Sequence, residues 1–244
     1  ALAQAGETAP AWPRARSVLY VGGLDWRKNL NGAAAAFQHL PETLKTEVEF
    51  QIVGFGPPAL VDEIRDAWRK AGMPAHNLKV LGHVDARELV ALYRGAGVVI
   101  QPSFMEGFGL TVLEAMLCGA PVIASRGSAL GEVVTSSEAT FDPANGRDIA
   151  GKIVRVLTDE AFTRTLIEQG RTKAGRYSWE RSARIALAAL DMPPKRGDVN
   201  LEALRTATLR ALGPVAPADR GDVARALGAS EPCMGEGRLL VDVT

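Results

Sequence analysis

The chain has 244 residues, of which 47% are apolar, so it is long enough and apolar enough to bury a sizeable core. Its 28 Lys and Arg residues balance 28 Asp and Glu residues, and a neutral chain has no long-range attraction to nucleic acid or to an anionic membrane surface. Two cysteines, no apolar run of about 18 residues and no signal peptide predict a cytoplasmic protein without a membrane span.

Strands and helices alternate along the first half of the chain. In chain order, the sequence predicts a strand at 17–23, a helix at 29–40, a strand at 48–56, a helix at 59–72, a strand at 77–82, a helix at 85–97 with Asp85 at its start, a strand at 98–103, a helix at 110–119 and a strand at 121–125. Apolar strands that alternate with amphipathic helices are typical of a Rossmann-like parallel sheet with helices on both faces.

After Phe141 the pattern becomes helical, with helices predicted at 145–157, 159–174 and 179–190. The first residues, 1–16, contain two prolines and many small side chains, and they are interpreted as a linker. One α/β domain is therefore expected over residues 17–190.

The composition changes beyond residue 190. Residues 191–244 contain no aromatic side chain. Such a tail buries little, although short helices are predicted at 201–212 and 219–227. We interpret 191–235 as a linker between modules and 236–244 as the first strand of a following domain; a frayed extension is the alternative. Since the chain also begins at Ala rather than Met, we expect it to be a piece of a longer protein.

The segment "SFMEGFGLTVLEAMLCG" is the first candidate site. In an open parallel sheet, ligands bind beyond the carboxyl ends of the strands. The first N–H groups of the helix that begins near Leu110 suit a phosphate, and Gly107 and Gly109 allow the backbone to approach it closely. Glu114 can accept hydrogen bonds from two neighbouring hydroxyls, as on a ribose, and Glu106 lies on the other side of the anion. A nucleoside diphosphate that carries a sugar would meet all of these groups.

Other strand ends agree with this interpretation. Arg27 and Lys28 follow the first strand, where cations can neutralise a diphosphate. Taken singly, each feature also has an ordinary explanation: a tight glycine turn, a solvated helical Glu114 or a surface pair of cations. His83 follows the third strand and is a candidate for lining the cleft. No Cys, His and Asp residues have the spacing of a metal site, so we expect no metal and no cofactor.

Taken together, these motifs resemble those of retaining GT-B glycosyltransferases, the family that includes bacterial mannosyltransferases and sucrose synthases. The acids form the pattern Glu106-x7-Glu114, and "LYVGGLDWRKN" is similar to the family's opening strand and cationic loop. "FQIVGFGP" and the block from "VLGHVDARELV" to "GAPVIAS" continue the resemblance, which covers roughly 17–190. It implies that the chain is the C-terminal, donor-binding half of a two-domain enzyme.

The resemblance implies a role for each matching position. Glu106 would face the transferred sugar, Lys28 with help from Arg27 would stabilise the leaving diphosphate, and Glu114 would bind the ribose. The remaining donor contacts that it implies are Gly107, Phe108, Gly109, Leu110 and Thr111 on the sugar and diphosphate, Gly82, His83 and Val84 near the base, and Ser103 at the fourth strand end. Gly23 is a further candidate donor contact. It stands where many members of the family have Arg, so the phosphate contacts are expected to rest on Arg27 and Lys28.

The family's N-terminal domain would hold the glycan acceptor, so we expect this chain by itself not to transfer sugar. The tail "GRLLVDVT" resembles the first strand of such N-terminal domains in multi-module enzymes that build polysaccharide, which implies adjacent transferase modules. We expect a hexosyltransferase that uses mannose from GDP-mannose. Two alternatives remain: a sugar-nucleotide epimerase of the same fold, with acid/base side chains around the sugar, and a module that only binds nucleotide or scaffolds its neighbours.

Overall fold

Six parallel strands form one sheet in the computed structural model, which describes residues 14–134 and 136–190 and, for 189 and 190, the backbone alone. The strands are β1 (Ser17–Val21), β2 (Glu49–Val53), β3 (Leu78–Gly82), β4 (Val98–Gln101), β5 (Val122–Ser125) and β6 (Thr140–Phe141). Their order across the sheet is β3-β2-β1-β4-β5-β6, with β1 in register with β2 from Ser17↔Glu49 to Val21↔Val53. The predicted Rossmann-like sheet is confirmed.

Helices connect the strands and cover the sheet. They are α1 (Leu30–Ala36), α2 (Glu42–Lys45), α3 (Pro58–Lys70), α4 (Ala86–Gly95), α5 (Leu110–Leu117), α6 (Leu130–Val133), α7 (Gly146–Thr158), α8 (Glu160–Ala174) and α9 (Trp179–Leu190), with short 3₁₀ helices at Trp26–Lys28, Phe37–His39 and Ala75–Asn77. Because strand order reverses direction between β1 and β4, right-handed crossovers place α1 and α3 on one face and α5 on the other. Accordingly α1 packs against α3, and α5 packs against α8.

Acidic and amide side chains begin three of these helices where the sequence predicted a start. Asp85 accepts hydrogen bonds from the backbone N–H groups of Arg87 and Glu88 at the first turn of α4, both at 2.8 Å. Asn145 caps α7 and Asp159 caps α8 in the same manner. These side chains satisfy N–H groups that have no partner inside the helix, and so they set where each helix begins.

The core lies between the sheet and its helices. On one face, Phe37 stacks on Phe50 of β2 with ring centroids 5.2 Å apart, and Trp68 of α3 lies 4.7 Å from Phe37. All three side chains are almost fully buried. Trp68 also donates its indole N–H to the carbonyl of Pro74 at 2.8 Å, which satisfies the one polar atom of this aromatic cluster.

Three short elements depart from the sequence prediction. The sequence assigned no structure to α2, α6 or β6, each of four residues or fewer. β6 exists because β5 lies beside it, with Ala124 paired to Thr140, and two residues alone carry no periodic signal. The strands and helices that the sequence predicted between residues 17 and 190 are present, most of them shorter by one to four residues.

The first residue that the structure describes contacts the end of α4. Arg14, in the segment predicted as a linker, donates hydrogen bonds to the carbonyls of Ala96 and Arg94 at the end of α4. Residues 1–13 and 191–244 lie outside the described residues, and with them the tail helices, the linker at 191–235 and the strand at 236–244. A second unit begins at Arg184. The structure describes only the last turns of α9 in this unit, and the side chains at 184–188 are exposed. Within the described residues, no helix is long and apolar enough to cross a membrane.

Candidate functional site

Three glycines end the three neighbouring strands β1, β2 and β3. Gly22, Gly54 and Gly82 have φ angles of 155°, 141° and 68°, all in the region that favours glycine. The N–H of Gly54 donates to the carbonyl of Gly82 at 2.8 Å, and a Cβ on Gly54 would lie 1.8 Å from the carbonyl oxygen of Gly22. The ends of β1 and β2 therefore approach so closely that a side chain at Gly54 would clash with backbone.

A cleft of about 270 Å³ opens between the ends of β1 and β4 and the start of α5. It is lined by Val21, Gly22, Lys28, Gln101, Glu106, Phe108, Gly109, Leu110 and Thr111. This is the point where the strand order reverses, and it is the usual ligand position in open α/β sheets. Of the sequence-predicted residues, Lys28, Glu106, Phe108, Gly109, Leu110 and Thr111 meet here.

Lys28 and Glu106 form an ion pair inside the cleft, although 78 residues separate them along the chain. The Nζ atom of Lys28 lies 2.6 Å from Oε1 of Glu106, and the two side chains are 20% and 13% exposed. The backbone joins the same two loops, because the N–H of Phe104 donates to the carbonyl of Arg27 at 2.7 Å. The candidate cation and the candidate carboxylate are thus held together before any ligand binds.

Two further side chains hold Glu106. Gln101 donates to Oε1 of Glu106 at 2.7 Å, and the Ser103 hydroxyl donates to the same oxygen at 3.0 Å. Ser103 is 1% exposed and is not among the residues that line the cleft, so it reaches the cleft only through Glu106. Its own carbonyl accepts a hydrogen bond from Ser125 at the end of β5.

The start of α5 lines the cleft, and the first N–H groups of a helix have no partner inside it. Gly109 is the residue before the helix, with φ at 93°, and no side chain caps it. A Cβ on Gly109 would lie 2.8 Å from Leu130, whereas one on Gly107 would meet open space. Phe108 between them is 44% exposed, and its ring forms a T-shaped pair with Tyr177, with the ring centroids 5.7 Å apart. An anion can therefore approach the N–H groups of the first helical turn.

Glu114 lies one turn into α5 and is only partly buried. The hydroxyl of Tyr93 on α4 donates to its Oε2 atom at 3.3 Å. Burial raises the pKa of Tyr93, and the negative charge of Glu114 raises it further, so the hydroxyl remains a donor. Glu114 does not line the cleft that contains Glu106, and the structure gives the two carboxylates different surroundings.

Arg27 pairs with Asp25 and not with Glu106. It forms an ion pair with Asp25 at 3.0 Å, and its side chain is 54% exposed. The hydrogen bond from Arg27 lowers the pKa of Asp25, although burial partly opposes that shift. Gly23, in the same loop, is exposed, and its carbonyl accepts a hydrogen bond from Tyr20 at 2.8 Å. Neither Arg27 nor Gly23 lines the cleft.

The residues predicted to lie near a base follow β3, two strands from β1. His83 is exposed, and Gly82 and Val84 are partly buried, on the same edge of the sheet as the cleft but outside its lining. In the part of the chain that the structure describes, no three His, Cys, Asp or Glu side chains are grouped as a metal site.

Sequence reasoning missed Gln101, Tyr93 and Ser128. Gln101 carried a usable signal, because it is the one polar residue in the buried strand Val98–Gln101. Ser128, with φ at 50°, accepts a hydrogen bond from the N–H of Glu106 at 3.3 Å. Tyr93 and Ser128 carried no signal, since their contacts depend on how distant segments pack.

Comparison with protein families agrees with this geometry. The family model described as glycosyl transferases group 1 matches residues 11–173, and the chain belongs to that family. The O-antigen chain mannosyltransferase B of Escherichia coli is 33% identical over 162 residues, which are 66% of this chain and 42% of that protein. The serotype-specific mannosyltransferase WbdA of Escherichia coli is 28% identical over 234 residues, 93% of this chain and 29% of that protein. The chain therefore spans less than half the length of either relative.

Solved structures show the same fold. Sucrose-phosphate synthase from Thermosynechococcus elongatus is 30% identical with a TM-score of 0.62, over 72% of this chain and 46% of that one. HepE from Anabaena, in complex with UDP and glucose, has a TM-score of 0.64 at 22% identity, over 73% of this chain and 49% of that one. The sheet is thus the Rossmann-like sheet of GT-B glycosyltransferases.

Proposed function

We propose that this chain is the donor-binding half of a retaining hexosyltransferase that transfers mannose from GDP-mannose to a growing bacterial surface polysaccharide. The observation that carries the proposal is the cleft where Lys28 and Glu106 meet the uncapped start of α5. Such a cleft offers a cation and free N–H groups to a diphosphate, and a carboxylate to sugar hydroxyls. The similarity to two mannosyltransferases supports the choice of sugar.

The width of the sheet suits a nucleoside diphosphate. The cleft lies at β1 and β4, and β3 is the second strand beyond β1. At roughly 4.8 Å between strands, the ligand would extend about 10–14 Å from the diphosphate to a base near His83 and Val84. Glu114 would bind the ribose hydroxyls on the way, with its second oxygen held by Tyr93.

The proposed reaction joins the oxygen of an acceptor hydroxyl to the anomeric carbon of the donor sugar, while the bond from that carbon to the diphosphate oxygen breaks and the hydroxyl proton passes to the departing diphosphate. Negative charge then develops on the departing diphosphate. The ammonium group of Lys28 has three N–H donors, so it can keep its bond to Glu106 and still reach a phosphate oxygen. Lys28 and the N–H groups of Leu110 and Thr111 would stabilise that charge without rearrangement.

The remaining parts of the proposal concern the longer protein. An N-terminal domain would hold the glycan acceptor, and adjacent transferase modules would act on the same polysaccharide in the cytoplasm. The alignment with WbdA over 93% of this chain and 29% of that protein supports this arrangement. Any membrane association would come from other parts of the protein or from its partners.

Calorimetric titration of the chain with GDP, UDP and ADP tests the donor site. We expect GDP to bind and Glu114→Ala to weaken its binding about tenfold or more, because a carboxylate that accepts two hydroxyl hydrogen bonds is lost. Glu168→Ala is the matched control, since Glu168 is an exposed glutamate on α8, outside the cleft lining. Its affinity for GDP should equal that of the wild type.

Other outcomes lead to other functions. A preference for UDP or ADP would contradict a guanine donor while leaving the site in place. Equal binding to Glu114→Ala and wild type would contradict the ribose contact. If no nucleotide binds, the same titration on the longer protein separates a site completed by its N-terminal half from a scaffold. Product analysis of the longer protein then distinguishes a new glycosidic bond from an epimerised donor.

A further inference from the structure

One oxygen of Glu106 receives all the hydrogen bonds that its carboxylate makes within the described residues. Oε1 accepts from Lys28 at 2.6 Å, from Gln101 at 2.7 Å and from Ser103 at 3.0 Å. No donor among the described residues contacts Oε2, although the side chain lines the cleft and is 13% exposed. The carboxylate is therefore held by one oxygen, and the other oxygen remains available to a ligand.

Gln101 is the donor that lies on a strand. It is the last residue of β4 and is 2% exposed, so its amide must find partners inside the protein. Its Nε2 atom donates to Oε1 of Glu106 at 2.7 Å and also lies 3.0 Å from the hydroxyl oxygen of Ser103. The reverse orientation of the amide would put its carbonyl oxygen against the carboxylate, so the hydrogen-bond network selects the orientation.

The charge that balances Glu106 and the hydrogen bond that orients it come from different residues. Lys28 neutralises the carboxylate, but its ammonium group stands on a flexible stem and is needed for the diphosphate. Gln101 carries no charge and projects from the end of a central strand, so it adds direction without changing the electrostatic potential of the cleft. A site built on a strand is more precise than one built on a loop, and Glu106 itself lies on the loop.

We propose that Gln101 is a positioning residue that holds Glu106 with Oε2 facing the hydroxyls of the donor sugar. The proposal rests on the donor site described under the proposed function. The diphosphate meets Lys28 and the start of α5, and the sugar meets Glu106. Loss of the Gln101 amide should therefore weaken recognition of the sugar and spare recognition of the nucleoside diphosphate.

The first measurement tests the hydrogen bond without any ligand. In ¹⁵N-labelled protein, the side-chain NH₂ signals of Gln101 are assigned by their loss in Gln101→Leu. We expect them to exchange slowly with solvent and to shift in Glu106→Gln, because their acceptor changes from a carboxylate to an amide. Gln51 donates to Glu49 of the same strand, β2, and β1 lies between β2 and β4. The NH₂ signals of Gln51 should therefore not shift. Fast exchange, or no response to Glu106→Gln, would overturn the hydrogen bond.

The second measurement compares the affinities of GDP and GDP-mannose, with UDP and UDP-glucose in parallel. We consider the nucleotide and the nucleotide sugar that bind the wild type. Gln101→Leu should lower the affinity for the nucleotide sugar about tenfold and change the affinity for the nucleoside diphosphate by less than about twofold. Ser103→Ala, which removes a weaker donor, should give the same pattern at about threefold. Gln51→Leu is the matched control and should change neither affinity.

The outcomes separate the two proposals. If Gln101→Leu lowers the affinities for the nucleotide sugar and for the nucleoside diphosphate equally, or lowers neither, Gln101 does not position Glu106 for the sugar. If Gln101→Leu does not fold, Ser103→Ala must give the sugar-specific loss, or the proposal is wrong. If neither this chain nor the longer protein binds any of the four compounds, the donor site itself is wrong, and the role of Gln101 toward a sugar is rejected with it.

Discussion

Two buried tyrosines support the loops and carboxylates of the site. Tyr20 donates its hydroxyl to the carbonyl of Gly23 at 2.8 Å, and Tyr93 donates to Glu114 at 3.3 Å. Burial raises the pKa of both hydroxyls, and a neighbouring negative charge raises it further, from Glu106 on Tyr20 and from Glu114 on Tyr93. Both side chains therefore stay neutral donors in neutral solution.

This burial predicts a loss of stability in alkali. Above about pH 10 the unfolded chain releases its tyrosine protons while folded Tyr20 keeps its own, so the free energy of unfolding falls as pH rises. Tyr20→Phe has no hydroxyl at this position, so it does not lose this stability as pH rises. Relative to the wild type, the variant should gain about 1.4 kcal/mol between about pH 9 and pH 11.

Urea denaturation of both proteins at the two pH values measures this gain. Tyr93→Phe should show a gain of similar size, and the double variant should show their sum. A difference between Tyr20→Phe and wild type that does not change with pH would contradict the raised pKa.

At the scale of elements, glycine determines how the ends of the strands meet. Gly54 at the end of β2 stands so close to the end of β1 that a Cβ would lie 1.8 Å from the carbonyl oxygen of Gly22. Gly151 has the opposite surroundings, since it lies in the exposed middle of α7 and a Cβ there would meet open space. The same substitution should therefore have opposite effects at the two positions.

We expect Gly54→Ala to lower the free energy of unfolding by about 2 kcal/mol or more, because the new methyl group clashes with backbone at a positive φ. Gly151→Ala should raise it by about 0.8 kcal/mol, because alanine loses less entropy in a helix. Chemical denaturation of the two variants beside the wild type measures both effects. An unchanged or raised free energy of unfolding in Gly54→Ala would contradict the close approach of the ends of β1 and β2.

At the scale of the whole molecule, the sheet and its helical layer share one core. Phe50 of β2 is fully buried between Phe37 and Trp68, and so it joins the sheet to α3. Phe55, a few residues later, is 76% exposed at the edge of the sheet. The pair offers a matched test of how much the shared core contributes to stability.

Phe50→Ala should lower the free energy of unfolding by about 3–5 kcal/mol, since it removes a large buried ring and leaves a cavity. Phe55→Ala should change it by less than about 0.5 kcal/mol. Thermal and urea unfolding give the two values. A similar loss in both variants would contradict the burial of Phe50 in the core.

Local patterns account for the parts of the site that the sequence predicted. Residues 106–114 form one short loop and one helical turn, so the relation between Glu106, Gly109 and Glu114 depends on local geometry alone. The same holds for Asp85, which caps the helix that follows it. The roles of Glu106, Gly109 and Glu114 toward a donor stay predictions, because they follow from the residue pattern and the resemblance and not from any contact within the chain.

The sequence by itself determined the class of fold, because the alternation of apolar strands and helices reflects burial that each segment carries in its own periodicity. Only the tertiary structure decided which strand ends adjoin. The order that places β1 beside β4 brings Lys28 to Glu106 across 78 residues and places Tyr93 beside Glu114. Periodicity does not encode strand order, and for that reason the support of Glu106 by buried Gln101 becomes visible only once the sheet is assembled.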